Sequence, residues 1–238
     1  MVYRTSKLTK FKRQAVRRRR YALRVRRPAR RTVFNRFSRP LTGMNNGAFP
    51  LVRNCKLVYS TYVTLSTSVF TGTRFRLSSL FDPEFVAVGH QPRGFDELAA
   101  IYNKYRVMGT AVKIQPTITA GPGNTAFICL QAYPWSTGNV TSFNEAKEAI
   151  NSSAILASSD RPMTIKKYFP TYKSLGVTKR DFMSDESYAA VVTTNPSNSA
   201  MLHLGVASPD QSTLTTVTCN VTFVFYCQFS ERRILPQS

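Results

Sequence analysis

The segment Val217–Phe229, VTCNVTFVFYCQF, alternates in side-chain character along its whole length. Successive side chains of a β-strand point to opposite faces of a sheet, so this period of two predicts a long strand with one buried face. The cysteines on that face are interpreted as small core residues. The apolar face comprises Val217, Cys219, Val221, Phe223, Phe225, Cys227 and Phe229.

The same alternation predicts a second long strand over residues 55–70, CKLVYSTYVTLSTSVF. Its apolar face carries Cys55, Leu57, Tyr59, Val63, Leu65 and Val69, and its other face carries Lys56, Ser60, Thr64, Ser66 and Ser68. Shorter strand-like runs bring the expected number of strands to eight; they span residues 74–80, 105–118, 125–133, 163–169, 188–194 and 201–207.

Turns and two short helices are expected between these strands. Gly121-Pro-Gly-Asn is predicted to form a hairpin turn, and Asn195-Pro-Ser-Asn and Ser208-Pro-Asp-Gln are further turn signals. Helical spacing of Phe95, Leu98, Tyr102 and Tyr105 predicts the first helix, with Asp96 and Glu97 in its first turn. Ser142 and Glu145 form a capping-box pattern at the start of the second.

These elements predict an all-β fold, an eight-stranded jelly-roll sandwich with two short helices in its loops. An immunoglobulin-like sandwich is the alternative, and it predicts shorter and more even loops. No apolar run reaches the roughly 20 residues that a membrane span requires, so membrane insertion is not expected.

Positive charge is concentrated at one end of the chain. Residues 1–40 hold sixteen basic residues and no acidic residue, and the first carboxylate is that of Asp82. The remaining 198 residues hold 17 basic and 12 acidic side chains, a formal charge of +5. The chain is therefore divided into an arginine-rich arm, residues 1–45, which is expected to be disordered when alone, and a folded body, residues 46–238.

The arm is predicted to bind single-stranded nucleic acid through its phosphates. A guanidinium group can bind a phosphate through two hydrogen bonds, and each neutralised phosphate releases counterions. The residues expected to make these contacts are Arg13, Arg17, Arg18, Arg19, Arg20, Arg24, Arg26, Arg27, Arg30, Arg31, Arg36 and Arg39. The same residues could serve as a nuclear-localisation signal, whereas a transit peptide or a membrane-surface helix would need more apolar area than the arm has.

The body carries no recognisable catalytic pattern. His90 and His203 are far apart in sequence, no nucleophile or Walker motif occurs, and no C-x-x-C spacing suggests a zinc site. We therefore expect a protein that is not an enzyme and binds no cofactor. A divalent cation held between subunits by Asp82, Glu84, Asp96 and Glu97 stays open.

Other side chains in the body suggest binding surfaces. Trp135 could stack a base or pack within a loop. Three further basic sites could extend the phosphate-binding surface or be scattered surface charge; they are Arg74-Phe75-Arg76, Lys166-Lys167-Tyr168 and Lys179-Arg180.

One segment resembles the capsid proteins of circovirus-like viruses, which package circular single-stranded DNA. The resemblance is carried by Pro92, Gly94, Phe95, Asp96, Tyr102, Tyr105 and Val107, within HQPRGFDELAAIYNKYRV. It implies a jelly-roll subunit, an icosahedral shell of 60 copies, an arm placed inside on the genome, and delivery to the host nucleus by the nuclear import machinery. The coats of small RNA and satellite viruses have similar arms, so DNA and RNA both stay open, and the host receptor is not identified. The alternative function is that of a nucleic-acid-binding protein that does not assemble.

Overall fold

The computed structural model describes residues 49–85, 89–137, 140–161 and 163–234, and in these ranges it shows nine strands and four short α-helices. The strands are β1 Arg53–Thr67, β2 Phe70–Arg76, β3 Tyr102–Ala120, β4 Thr125–Pro134, β5 Ser152–Ser158, β6 Ile165–Pro170, β7 Ala190–Val191, β8 Ala200–Ala207 and β9 Thr215–Arg232. The helices are α1 Phe95–Ile101, α2 Phe143–Glu148, α3 Thr171–Ser174 and α4 Lys179–Ser184. The disorder predicted for residues 1–45 lies outside the described residues, and so the division into arm and body stays a prediction.

The strands form two antiparallel sheets. The first sheet has the order β1-β9-β3-β6, with the two-residue strand β7 also paired to β3, and the second has the order β2-β8-β4-β5. Apart from β4 and β5, the long strands that follow each other in sequence lie in different sheets. This repeated crossing is the jelly-roll topology, and it confirms the predicted fold class over the immunoglobulin-like alternative, in which more neighbouring strands share a sheet.

Strand β9 is the centre of the first sheet. It pairs with β1 from Arg53 opposite Phe229 to Thr67 opposite Thr215, and with β3 along its other edge. Its inward side chains are buried as the alternation predicted. The ring of Phe223 lies 5.1 Å from that of Phe75 in the second sheet, so aromatic packing joins the two layers.

The second sheet is buried on both faces over much of its area. All eight residues of β8 are buried, and α2 packs over the outer face through Phe143, whose ring lies 5.0 Å from that of Phe127. The Oγ of Ser142 accepts a hydrogen bond from the Glu145 amide at 3.2 Å, which confirms the predicted cap. The Glu145 carboxylate instead accepts the amide of Thr141 at 2.9 Å, so the reciprocal half of the capping box is shifted by one residue.

Two predicted strand boundaries were wrong. The strand expected over residues 55–70 ends at Thr67, and β2 occupies residues 70–76 where 74–80 was expected. The hydroxyl of Thr67 accepts the amide of Val69 at 3.2 Å, and this local hydrogen bond competes with strand pairing. Val69, placed by the prediction on the buried face, is 55% exposed.

One predicted strand is much shorter than expected, and one strand of the structure was not predicted. Residues 188–194 form only the two-residue strand β7, because residues 186–188 form a turn of 3-10 helix capped by the carboxylate of Asp185. Strand β5 was missed because its sequence, SSAILAS, is dominated by serine and alanine, which give little strand signal.

Two local predictions also require correction. Helix α1 ends at Ile101, and Tyr102 and Tyr105, expected on the same helix, lie in β3. The turn at Gly121–Asn124 joins β3 to β4 and so connects the two sheets rather than forming a hairpin within one. Of the described helices, none is both long and apolar enough to cross a membrane.

Candidate nucleic-acid interface

All twelve arginines predicted to bind nucleic acid, from Arg13 to Arg39, lie outside the described residues. Their role stays a prediction. Within the described body, the structure separates basic side chains that hold the fold together from those that face outward without a carboxylate partner.

The first predicted basic site, Arg74 and Arg76, is used within the fold. Arg76 donates hydrogen bonds to the Asp82 carboxylate at 2.5 Å and to the Glu84 carbonyl at 2.9 Å. The guanidinium carbon of Arg74 lies 4.0 Å from the ring centre of Phe85, a cation–π contact. These two arginines therefore anchor the segment after β2 to the outer face of the second sheet.

Trp135 packs against the same Arg74–Phe85 pair. Its ring centre lies 4.9 Å from that of Phe85 and 5.9 Å from the guanidinium carbon of Arg74. This contact supports loop packing over base stacking, although 47% of Trp135 is exposed.

The carboxylates considered for a metal are separated into different roles. Asp82 pairs with Arg76, and Glu84 accepts a hydrogen bond from the Tyr59 hydroxyl at 2.5 Å. Burial and the Glu84 carboxylate raise the pKa of Tyr59. Asp96 and Glu97 are exposed in the first turn of α1. Among the described residues, no three His, Cys, Asp or Glu side chains are grouped so that they could hold a metal ion.

Both histidines lie against aromatic rings. The His90 ring stacks on Tyr59 at 4.5 Å between centroids, and the His203 ring stacks on Phe70 at 5.7 Å. His203 is buried without a hydrogen-bond partner on either nitrogen, and burial lowers its pKa to about 4. An imidazole enclosed in this way supports a structural role for His203.

The four cysteines are free thiols. Cys55 and Cys227 face each other across β1 and β9, with their Sγ atoms 3.4 Å apart. Burial raises the pKa of Cys129 and of Cys219 to about 12, so neither is a reactive thiolate at neutral pH.

The second predicted basic site is divided between two faces of β6. Lys167 points toward the space between the sheets, where its Nζ donates to the Ser152 carbonyl of β5 and burial lowers its pKa. Lys166 and Tyr168 point the other way, onto the outer face of the first sheet. The third site, Lys179 and Arg180, is exposed at the start of α4.

Lys166 and Tyr168 belong to a larger surface that sequence reasoning missed. We call it the lysine–tyrosine face; it consists of Lys56, Lys113, Lys166, Tyr168 and Tyr226 on the outer side of the first sheet. The register places Lys56 opposite Tyr226 and Lys113 opposite Lys166. The alternation of β1 and β9 had already placed Lys56 and Tyr226 on outward positions, which was the available signal.

The two tyrosines of this face are in contact. Their ring centroids lie 5.7 Å apart at an interplanar angle of 89°, and the Nζ of Lys56 lies 5.0 Å from the Tyr226 ring centre. A methyl group added at Gly109 would lie 2.2 Å from the Tyr168 hydroxyl, so the missing side chain of Gly109 makes room for this ring. Burial and the neighbouring Tyr226 and Tyr172 raise the pKa of Tyr168.

Positive charge on the lysine–tyrosine face is not balanced locally. Among the described residues, Lys56, Lys113 and Lys166 form no ion pair. The outward positions of β1 and β6 carry no carboxylate, and neither do those of β9 between residues 216 and 230. Beyond this face, the outer side of β1 and β9 carries neutral hydroxyl pairs, such as Thr64 and Thr218, whose Oγ1 atoms are 3.1 Å apart.

The buried arginine of the first sheet has a structural role. Arg106 donates to the carbonyl oxygens of Phe182 and Met183, both at 2.6 Å, and to that of Asp185 at 3.0 Å. It therefore fixes the C-terminal end of α4 against β3.

The segment with the circovirus-like pattern is also built into the core. Gly94 precedes α1 with a φ of +87°, a conformation that favours glycine. Phe95 is buried and meets Tyr105 edge to face at 5.7 Å. The hydroxyls of Tyr102 and Tyr105 donate to the carbonyls of Pro50 and Thr194 at 2.9 Å and 2.8 Å. The pattern therefore describes a folding element rather than a binding surface.

No protein-family model matches the chain, and no curated protein sequence matches it significantly. Among solved structures, it is similar to the BFDV capsid protein, with 12% identity over 76% of this chain and 99% of that one and a TM-score of 0.45. It is also similar to the Macrobrachium rosenbergii nodavirus particle, with 12% identity over 80% of this chain and 100% of that one and a TM-score of 0.42. A third similar structure is that of Desmodium yellow mottle tymovirus, with 11% identity over 78% of this chain and 93% of that one and a TM-score of 0.41. The body is a jelly roll with a cationic, aromatic face on one sheet, and no described carboxylate pairs with the lysines of that face.

Proposed function

We propose that this chain is a viral coat protein that assembles with copies of itself into a small icosahedral shell and packages single-stranded nucleic acid through its arginine-rich arm. The observation that carries the proposal is a jelly-roll body in one chain with sixteen basic residues collected in residues 1–40. A dense run of arginines is suited to a ligand that offers many phosphates. The protein performs no bond chemistry in this role.

Charge arithmetic supports packaging over recognition of one short site. Sixty arms of sixteen charges would supply about a thousand positive charges, enough to neutralise roughly half the phosphates of a genome of order two kilobases. The body carries a formal charge of only +5, so repulsion between bodies would oppose closure of a shell only weakly. We propose DNA as the packaged nucleic acid and the nucleus as the site of assembly because of the Pro92–Val107 resemblance.

Electron microscopy of the purified full chain is the direct test of assembly. We expect closed shells of uniform diameter, holding nucleic acid that added nuclease cannot reach. Digestion of the extracted contents with DNase or RNase identifies the nucleic acid. A chain that stays monomeric at high concentration with single-stranded nucleic acid present would contradict the coat-protein proposal and favour a binding protein that does not assemble.

Two matched variants of the full chain test the arm. Replacing the twelve arginines between Arg13 and Arg39 by glutamine should abolish most binding to a single-stranded oligonucleotide, because the phosphate contacts are lost. Replacing the same twelve by lysine keeps the charge and should retain most of the binding. Equal binding by the glutamine variant at moderate salt would refute the role of the arm.

A further inference from the structure

We propose that the lysine–tyrosine face is a second nucleic-acid subsite, on which unpaired bases stack against Tyr168 and Tyr226 while the three lysines bind the flanking phosphates. The inference rests on the proposed packaging function, since its ligand is the same single-stranded nucleic acid. It extends that function from the arm to the folded body.

The tyrosines offer a pre-arranged stacking surface. Tyr168 is 50% exposed, yet its position is limited by the bare backbone of Gly109 beneath it and by the edge-to-face contact with Tyr226. A ring that is already held in place loses little conformational freedom when a base covers it. Stacking on such rings tolerates any base, as packaging of a whole genome requires.

The three lysines of this face carry positive charge that no described carboxylate pairs with. Lys113 and Lys166 are directly opposite on neighbouring antiparallel strands, a position in which like charges repel. Lys56 lies over Tyr226, and Lys166 is two residues from Tyr168 on the same face of β6. A phosphate between Lys113 and Lys166 would relieve their repulsion, and this gives the face a specific reason to bind an anion.

The combination of groups favours a single strand over other polyanions. A duplex hides its bases from a flat sheet and would use only the lysines. A sulfated glycan or an acidic protein surface would likewise depend on charge, with no need for the tyrosine rings. Dependence on the rings therefore separates a single strand from these other ligands.

Photo-crosslinking of the full chain to a 4-thiothymidine oligonucleotide tests the contact directly. We expect cross-linked peptides that contain Tyr168 or Tyr226, although the arm supplies most of the affinity. The double variant Tyr168→Ala with Tyr226→Ala should reduce cross-linking to this face about tenfold, whereas the matched Phe variants should retain it because they keep the rings. Equal loss in the Ala and Phe variants would overturn stacking.

Salt titration of oligonucleotide binding tests the lysines. Lys113→Gln with Lys166→Gln should reduce the slope of log K against log salt by about 1.4, because two phosphate contacts of a single strand are lost. Lys147→Gln with Lys173→Gln removes the same charge from exposed positions off this face and is the control. A thermal melt checks folding, and the lysine variants should melt no lower than the original chain.

The outcomes separate the subsite from the packaging proposal. Shells that hold nucleic acid, together with an unchanged slope and no cross-links at Tyr168 or Tyr226, would refute the subsite and leave packaging intact. A full chain that binds no single strand would refute both. Heparin binding that falls in the lysine variants but not in the tyrosine variants, with no cross-links, would assign the face to a sulfated glycan and overturn the inference.

Discussion

The two sheets of the body differ in how they meet water. Along β9 the first sheet is buried on one face only, and burial alternates residue by residue from Thr215 to Ser230. The second sheet is covered on its outer face by α2 and by the Arg74–Phe85 cluster, and every residue of β8 is buried. A period of two in the sequence therefore indicates a sheet with one solvent-exposed face, and a strand covered on both faces loses this signal.

The largest expected effect concerns the interior that both sheets share. Phe223→Ala should lower the free energy of unfolding by about 3–5 kcal/mol, because it leaves a cavity beside Phe75 and Tyr59. Val224→Ala, on the outward face of the same strand, should cost less than about 1 kcal/mol. Urea unfolding of both variants measures the difference, and equal costs would show that the two faces of β9 are not distinct.

Two glycines, one in each sheet, allow the crowding on the outer faces of the two sheets to be compared. A methyl group at Gly72 would lie 2.3 Å from Nε2 of the enclosed His203, and one at Gly109 would lie 2.2 Å from the hydroxyl of the half-exposed Tyr168. Gly72→Ala should cost about 1–3 kcal/mol, since the imidazole has no room to retreat. Gly109→Ala should cost less, because the half-exposed Tyr168 ring can be pushed outward with the loss of only its contact with Tyr226. A larger cost at Gly109 in urea unfolding would reverse the comparison.

Acidification should weaken the second sheet through His203. The folded-state pKa of His203 is about 4, below the 6.5 of a free imidazole, so between those values the unfolded chain binds a proton that the folded chain refuses. Stability from this group is present above pH 6.5 and decreases as the pH falls toward 4. We expect a loss of about 2 kcal/mol between pH 7 and pH 5.

Substitution of His203 isolates this effect. His203→Leu should remove that part of the pH dependence, as measured by urea unfolding at both pH values. Carboxylates such as Asp185, whose pKa is lowered by the Ser187 amide and hydroxyl, act mainly below this window. An identical pH dependence in the original chain and in His203→Leu would contradict the prediction.

The smallest expected effect is on the exposed face of the first sheet. Lys113→Gln should raise the free energy of unfolding by a few tenths of a kcal/mol, because it removes the repulsion from Lys166. Lys56→Gln removes a charge that lies over Tyr226 and should lower the free energy of unfolding by a similar amount. Precise urea titrations can resolve the two signs, and a shared sign would argue against local pairing as the cause.

The first sheet could be predicted in detail because its strands β1, β3 and β9 carry long alternating or apolar runs. The second sheet was less accessible. Its strand β5 is short and rich in serine and alanine. In the first sheet, the segment at residues 188–194 has strand-like composition, but the Asp185 cap begins a 3-10 turn over residues 186–188 and only a two-residue strand follows. Both errors arose where local hydrogen bonding or tertiary cover overrode composition.

The candidate site was only partly visible in the sequence for a different reason. Lys166 and Tyr168 were identified as neighbours in the chain, whereas Lys113, Lys56 and Tyr226 join them only through the sheet register. Residues 56 and 226 are brought together by strand pairing, and no local pattern encodes which strands become neighbours. Gly109, which makes room for Tyr168, carries no signal of its own.

The central position of β9 has a consequence for how the chain is made. Of the described strands this one is synthesised last, and it is the only described link between β1 and β3 in the first sheet. Such distant pairing makes folding slow, and during synthesis the emerging body has unpaired strand edges that invite aggregation. The first sheet therefore cannot close until β9 has left the ribosome, after all the other described strands have been made.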